Sequence, residues 1–222
     1  MQEIGAVAVH FKICGVTNLE DADAALELGA SAIGVNLVPG SARLVDVETA
    51  RRIAAHVGRN ALTVLVVADL PVDEMKDLLR VTGARCLQLH GDESPEAVGL
   101  MMPHAYKALR IGTVADVARA VEYPGEHLLV DAKVPGKLGG TGRTFDWSLV
   151  EPLARQRKLT LAGGLTPANV ADAVRQVRPF CVDVASGVEI EGNPRRKDRS
   201  KLAAFVRAIG GGAAAPLSVA RS

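Results

Sequence analysis

Short runs of apolar and β-branched residues alternate along this chain with longer stretches of helical period, and Gly, Pro, Asp, Ser or Thr stands at nearly every join. The runs 8–13 (AVHFKI), 32–37 (AIGVNL), 62–67 (LTVLVV), 85–90 (RCLQLH), 105–110 (AYKALR), 127–131 (HLLVD), 158–162 (KLTLA) and 180–184 (FCVDV) are predicted strands. Several are apolar almost throughout, as parallel strands covered by helices must be.

Helices are expected in the gaps, over 18–28, 46–57, 72–81, 94–102, 113–122, 146–154, 166–176 and 198–209. In the first, Leu19, Ala22, Ala25 and Leu26 share a face and Gly29 ends the helix. Asp46 followed by a glutamate is a capped start, and Ser94-Pro95 and Thr166-Pro167 each offer an N-cap with proline at the first helical position.

Eight strand–helix units in strict order, with no second block of different character, predict one closed (β/α)8 barrel over 7–209. A doubly wound open sheet shares the alternation. Eight units in some 210 residues fill a barrel without remainder, which favours the closed form. The tail 210–222 (GGGAAAPLSVARS) has no periodic face and is expected to be disordered.

Composition narrows the function classes. The chain of 222 residues is 48% hydrophobic and 23% charged, enough apolar material for one large core. Its net charge of +1 gives no general field for polyanions, so nucleic acid is not an expected partner. No apolar stretch approaches the roughly 20 residues a membrane span needs, and the N-terminus lacks the basic region and cleavage site of a signal peptide. Three scattered cysteines form neither a CxxC pair nor a metal-ligand cluster, so a reducing cytoplasm is the expected home, with no metal and no cofactor.

In a (β/α)8 barrel the working residues stand at the C-terminal ends of strands. Those positions hold Cys14, Asn36, His90, Arg110, Asp131 and Asp183. The loops after strands 7 and 8, the usual phosphate clamp of this architecture, contain Gly163-Gly164 and Ser186-Gly187, where backbone N–H groups can approach an anion. Asp131 ends an apolar strand and would point into the barrel mouth. Behind it a loop carrying Gly139, Gly140, Thr141 and Gly142 reads as a mobile cover, with Lys133 and Lys137 as further cations.

For three residues position leaves two readings open. Cys14 is either a packing thiol or a thiolate base or nucleophile. His90 either lines the mouth or ends a strand with a hydrogen bond. Arg43 either grips a planar carboxylate or is a solvated loop side chain. Cys86 and Cys181 are expected to be buried packing residues.

The strings FKICGVTNLEDA, GSARLV, LQLHGDE, LLVDAKVPGKLGGTGRTFDW, LAGGLTPANV, VDVASGVE and PRRKD, in this order over about residues 10–207, resemble the phosphoribosylanthranilate isomerase family of tryptophan biosynthesis. The resemblance implies that Cys14 is a general base, Asp131 a general acid and Arg43 the holder of the substrate's carboxylate. It gives His90 and Asp183 supporting places, and puts phosphate contacts on backbone around Gly163, Gly164, Ser186 and Gly187. In that family the stretch before the arginine is aromatic-rich and ends in Ser-Pro-Arg. Here 34–43 reads GVNLVPGSAR, which removes a backbone restraint before Arg43 and would widen the anthranilate side of the pocket.

The implied reaction is an Amadori rearrangement of a small phosphorylated aminosugar, by a monomer or homodimer, without cofactor. It asks for a protonated Asp131 and for a Cys14 whose pKa is lowered, or matched when substrate binds. The related isomerase of histidine biosynthesis typically has an aspartate where Cys14 stands. A dual-substrate enzyme, or a phosphate-binding barrel that has lost catalysis, would carry the same fold, and intact Cys14 and Asp131 argue against the second of these.

Overall fold

The computed structural model describes residues 9–132, 144–211 and 217. Residues 7 and 8 of the expected barrel, Lys133, Lys137, the expected cover at Gly139, Gly140, Thr141 and Gly142, and most of the tail lie outside the described residues. Eight strands, β1 (His10–Ile13), β2 (Ala32–Asn36), β3 (Leu62–Val67), β4 (Cys86–Leu89), β5 (Ala105–Ile111), β6 (His127–Ala132), β7 (Lys158–Leu161) and β8 (Cys181–Val184), pair in parallel in chain order. The ring closes where β1 meets β8, with Lys12 opposite Asp183 and Ile13 opposite Val184.

Alternation along the strands divides the interior in two. Outward residues such as Phe11, Ile13, Leu65, Leu87, Leu128 and Val182, all 0% exposed, pack under the helices in one continuous core. Burial on this scale stabilises by ~1.5–3 kcal/mol for each such side chain. The opposite faces form a smaller cluster inside the ring: Ala32, Leu62, Val64, Cys86, Tyr106, Ala108, Leu129 and Ala162. Leu217 packs against this inner cluster and donates its N–H to Ser31 O at 3.3 Å.

The helices are α1 (Leu19–Glu27), α2 (Val47–Val57), α3 (Val72–Thr82), α4 (Pro95–Leu100), α5 (Val114–Ala118), α6 (Glu151–Ala154), α7 (Val170–Val177) and α8 (Arg199–Ala208). Asn18, Asp46 and Ser94 cap α1, α2 and α4 through their side chains. None is long and apolar enough to cross a membrane among the described residues.

Three expectations of local structure are corrected. The helix expected over 113–122 is five α-helical residues followed by a 3-10 turn, Arg119–Glu122; none of Val114–Ala118 is buried, so packing does not extend it. The helix expected over 146–154 begins as a 3-10 turn, because Pro152 cannot donate to the ladder. Thr166-Pro167 does not cap α7. Instead the Asn169 side chain accepts from Thr166 N and donates to Gly164 O, closing a turn before the helix begins at Val170.

Finally, an unexpected hairpin of β9 (Glu189–Ile190) and β10 (Asn193–Lys197) follows the barrel. It folds back on the start of α1, with Thr17 Oγ1 donating to Arg195 O at 2.7 Å and Lys197 N to Asp21 Oδ2 at 2.9 Å.

Candidate active site

At the C-terminal end of the barrel a cavity of about 490 Å³ opens. Cys14, Arg43, Gln88, His90, Asp131 and Asp183 line it, together with Gly163, Gly164 and Ser186 from the late loops.

β1 delivers two of the site's groups by alternation. With Phe11 and Ile13 facing the helices, Lys12 and Cys14 face the interior. An ammonium inside a barrel needs counter-charge, and Lys12 Nζ donates to Asp183 Oδ2 and Gln88 Oε1, both at 2.7 Å. Burial alone would depress this ammonium. The Asp183 carboxylate, by its charge and its hydrogen bond, more than offsets burial and holds the Lys12 pKa well above the ordinary lysine value.

Cys14 closes the strand, its N–H bonded to Val184 O at 2.9 Å. Burial and the Asp183 carboxylate raise its thiol pKa, while Lys12 and Lys197 pull in the other direction. Of the two routes to thiolate expected from sequence, a pKa lowered in the free protein is not what the site provides, which leaves matching on substrate binding, and Cys14 is held as a thiol until then. Cys86 and Cys181, buried on inner strand faces, are pushed up to about 12 by desolvation and remain packing thiols.

Across the mouth, β6 carries Asp131, whose Oδ1 accepts from Ala132 N at 2.7 Å. The room for it comes from Gly163. A Cβ there would lie 2.9 Å from Asp131 Oδ1 and 2.6 Å from Ala132 N, and φ of +88° disfavours any side chain. On and just after β4, Gln88 and His90 both point inward. Gln88 Nε2 lies 2.7 Å from His90 Nδ1, and His90 Nε2 lies 3.6 Å from Asp131 Oδ2. The chain just after His90 is anchored from outside the cavity. Glu93 accepts from Gly91 N and Asp69 N, and Lys107 donates to Glu93, Gly91 O and Leu89 O.

Arg43 enters from the β2 loop and lies over Gly15, where a Cβ would come within 2.3 Å of Arg43 Cδ. Its fork is engaged by Glu189, Nε at 2.6 Å from Oε1 and Nη2 at 2.9 Å from Oε2. Lys197, in register with Glu189 across the hairpin, adds a third contact at 3.1 Å. The three charges sum to one positive unit beside the cavity. Burial resists ionisation of Glu189, but the hydrogen bond from Arg43 and the charge of Lys197 draw its pKa below the ordinary value.

The two late loops touch. A Cβ on Gly187 would meet Leu165 O at 2.0 Å, so the β8 loop seats directly on the β7 loop. Gly163, Gly164 and Ser186 reach the cavity wall, whereas Gly187 sits at that contact and is not among the lining residues. The helix N-terminus expected after Thr166 is replaced there by the Asn169 turn.

Of the strand-end residues picked out in the sequence, Cys14, Asn36, His90, Asp131 and Asp183 share the cavity. Arg110 does not line it and pairs with Asp92. Sequence reasoning missed Lys12, Gln88, Glu189 and Lys197. Lys12 and Gln88 left a readable signal, a charged or amide side chain inside an apolar strand run, which a barrel can satisfy only within itself. Among the described residues no group of three or more His, Cys, Asp or Glu side chains could hold a metal ion.

Comparison with known proteins gives a consistent result. The family described as N-(5'phosphoribosyl)anthranilate (PRA) isomerase matches residues 11–208. The N-(5'-phosphoribosyl)anthranilate isomerase of Myxococcus xanthus is 44% identical over 207 residues, covering 91% of this chain and 96% of the relative. The crystal structure of phosphoribosyl anthranilate isomerase from Thermotoga maritima superposes with a TM-score of 0.82 at 37% identity, over 91% of this chain and 98% of that one. A phosphoribosyl anthranilate isomerase solved in complex with reduced 1-(o-carboxyphenylamino)-1-deoxyribulose 5-phosphate gives 0.81 at 35% identity, with the same coverage.

Proposed function

The chain belongs to the N-(5'-phosphoribosyl)anthranilate isomerase family, and we propose that it performs the family's reaction with Cys14 as general base and Asp131 as general acid. It is an isomerase of tryptophan biosynthesis, converting N-(5'-phosphoribosyl)anthranilate into 1-(o-carboxyphenylamino)-1-deoxyribulose 5-phosphate. The observation that carries the assignment of roles is the shared cavity: a thiol from β1 and a carboxyl group from β6 line the same space.

The chemistry assigns each group a task. The Asp131 carboxyl gives its proton to the furanose ring oxygen, and the C1′–O bond opens as the anilino nitrogen's lone pair moves to C1′, leaving a cationic imine. Cys14 Sγ then takes the C2′ proton, and that bonding pair becomes the C1′=C2′ bond of an enolamine. Protonation at C1′ and loss of the enol proton give the 2-ketone. C1′ is reduced and C2′ oxidised within one molecule, so the sum requires no external electron carrier. The cationic imine adds its charge to Lys12 and Lys197 in favouring thiolate, so Cys14 releases its own proton to solvent as the imine forms and its Sγ is then free to accept the C2′ proton.

The remaining contacts follow from charge. Arg43, backed by Glu189 and Lys197, receives the anthranilate carboxylate. The backbone of Gly163 and Gly164, with Ser186 of the next loop, receives the phosphate, while Gly187, packed on Leu165 O, seats that loop. Asp183, tied to Lys12, holds the ammonium next to Cys14. The ligand of this reading is a small phosphorylated aminosugar, and the three free cysteines support a reducing cytoplasm as the setting of the reaction. The direct test is the loss of phosphoribosylanthranilate fluorescence with purified protein. Absence of turnover by a correctly folded preparation would refute the reading.

A further inference from the structure

We infer that Gln88 is a positioning residue that fixes His90 as the neutral tautomer protonated on Nε2, with that N–H turned toward Asp131. Lys12 sets the direction of the amide. An ammonium has three donors and no lone pair, so the Gln88 atom 2.7 Å from Lys12 Nζ must be the amide oxygen. The same oxygen accepts from Tyr106 Oη at 3.1 Å, and burial keeps that phenol protonated, its pKa well above the ordinary tyrosine value. With both donors on one side, the amide cannot rotate end for end without placing its NH₂ against an ammonium and a hydroxyl hydrogen.

The other end of Gln88 is therefore NH₂, and it lies 2.7 Å from His90 Nδ1. Two N–H groups cannot share that distance, so Nδ1 carries the lone pair and the ring proton is on Nε2, the nitrogen 3.6 Å from Asp131 Oδ2. An imidazolium would put a second hydrogen on Nδ1 against the amide, so the ring is held neutral as well. Among the described residues, the charged and titratable groups that share its cavity or flank it are Asp131 on β6, Asp183 on β8, Lys12 and Cys14 on and just after β1, Arg43 from the β2 loop, Tyr106 on β5, and Lys107 and Glu93, which bind the backbone beside it. Lys12 acts on His90 through the Gln88 amide it orients. The result is a chain of fixed direction, Lys12 to Gln88 to His90, that ends in a donor facing the carboxyl group assigned as the acid.

The value of such a donor in catalysis rests on the proposed role of Asp131 as the acid, since Nε2–H stabilises the carboxylate left after its proton is delivered. The tautomer itself does not depend on that role. The test is nitrogen-15 NMR of the full chain labelled at histidine, with His90→Asn identifying the signal. The expected wild-type spectrum has one bare nitrogen, Nδ1, and one protonated nitrogen, Nε2, unchanged from about pH 5 to about pH 8.

Gln88→Glu puts an acceptor at Nδ1 and should move a proton onto it, with kcat falling about tenfold or more and KM little changed. Gln88→Met removes the donor and should let His90 titrate. A wild-type Nδ1–H, or a spectrum unmoved by both substitutions, would overturn the assignment. A tautomer that switches while kcat stays at the wild-type level would overturn the positioning role. Full activity of Asp131→Asn would instead sink the acid assignment and leave the tautomer standing.

Discussion

Arg43 and Glu189 lie 146 residues apart in sequence and are joined by a two-pronged ion pair, Nε to Oε1 at 2.6 Å and Nη2 to Oε2 at 2.9 Å. The pair uses one edge of the guanidinium and leaves the Nη1 side for a second planar anion, so the hairpin carboxylate orients the arginine. Arg43→Ala should keep the fold, because Glu189 retains Lys197 at 3.1 Å. Loss of a charge-assisted contact to the substrate's carboxylate is worth about 2 kcal/mol, or a roughly thirtyfold rise in KM with kcat little affected. Steady-state kinetics decide it, and an unchanged KM would remove Arg43 from substrate binding.

Cys14→Ala and Asp131→Asn remove a proton acceptor and a proton donor without changing the size of either group much. Each should lower kcat by ~10²–10⁴, the usual worth of a general acid or base. Neither side chain belongs to the outer apolar core, so the melting temperature should move by only a few degrees. Turnover near the wild-type rate in either variant would exclude that residue from the reaction.

Burial and Asp183 raise the Cys14 pKa while Lys12 and Lys197 oppose them, so the free enzyme should react slowly with iodoacetamide at neutral pH and faster as pH rises past the ordinary thiol value. Lys12→Met takes away a cation and leaves Asp183 uncompensated, which should push the reactive pKa higher still. Pairing it with Asp183→Asn guards against unfolding caused by the stranded carboxylate. Alkylation-rate profiles that coincide for wild type and double variant would mean that Lys12 and Asp183 together exert no net control over the thiol.

The barrel was legible because its strands are buried on both faces. LTVLVV at 62–67 is apolar except for Thr63, and the predicted bounds coincide with β3. The hairpin was not legible, because its one turn signal, Gly192 at φ of +73°, is flanked by no apolar alternation: NPRRK is polar and is held by contacts to Thr17, Asp21 and Glu189. Thr17 and Asp21 lie far away in sequence, and no local pattern encodes them. The same holds inside the site. Cys14, His90, Asp131 and Asp183 could be placed at strand ends by counting, whereas the function of Lys12 and Gln88 emerges only when β1, β4 and β8 meet. Arg110 had the right position and the wrong neighbour, since Asp92 after β4 captures it.

Stability should carry its own pH dependence, through a histidine away from the catalytic mouth. His127, at the start of β6, is stacked on Tyr106 with ring centroids 4.6 Å apart, and its Nε2 lies 2.7 Å from Thr160 Oγ1. Desolvation, with the repulsion of Lys12, Lys158 and Arg157 behind it, lowers its pKa from 6.5 to about 4. Between those values the unfolded chain binds a proton that the folded chain refuses, so stability must fall as pH falls from 6.5 toward 4 and be independent of this group above 6.5. A separation of that size corresponds to a loss of about 3 kcal/mol once the folded ring protonates. Urea unfolding at a series of pH values should show that slope, and His127→Gln should flatten it, although His10, also lowered by burial, leaves a smaller residue of the effect. An identical pH slope in the two proteins would mean that the His127 ring takes up its proton as readily in the fold as in the unfolded chain, so that its burial against Tyr106 does not lower its pKa.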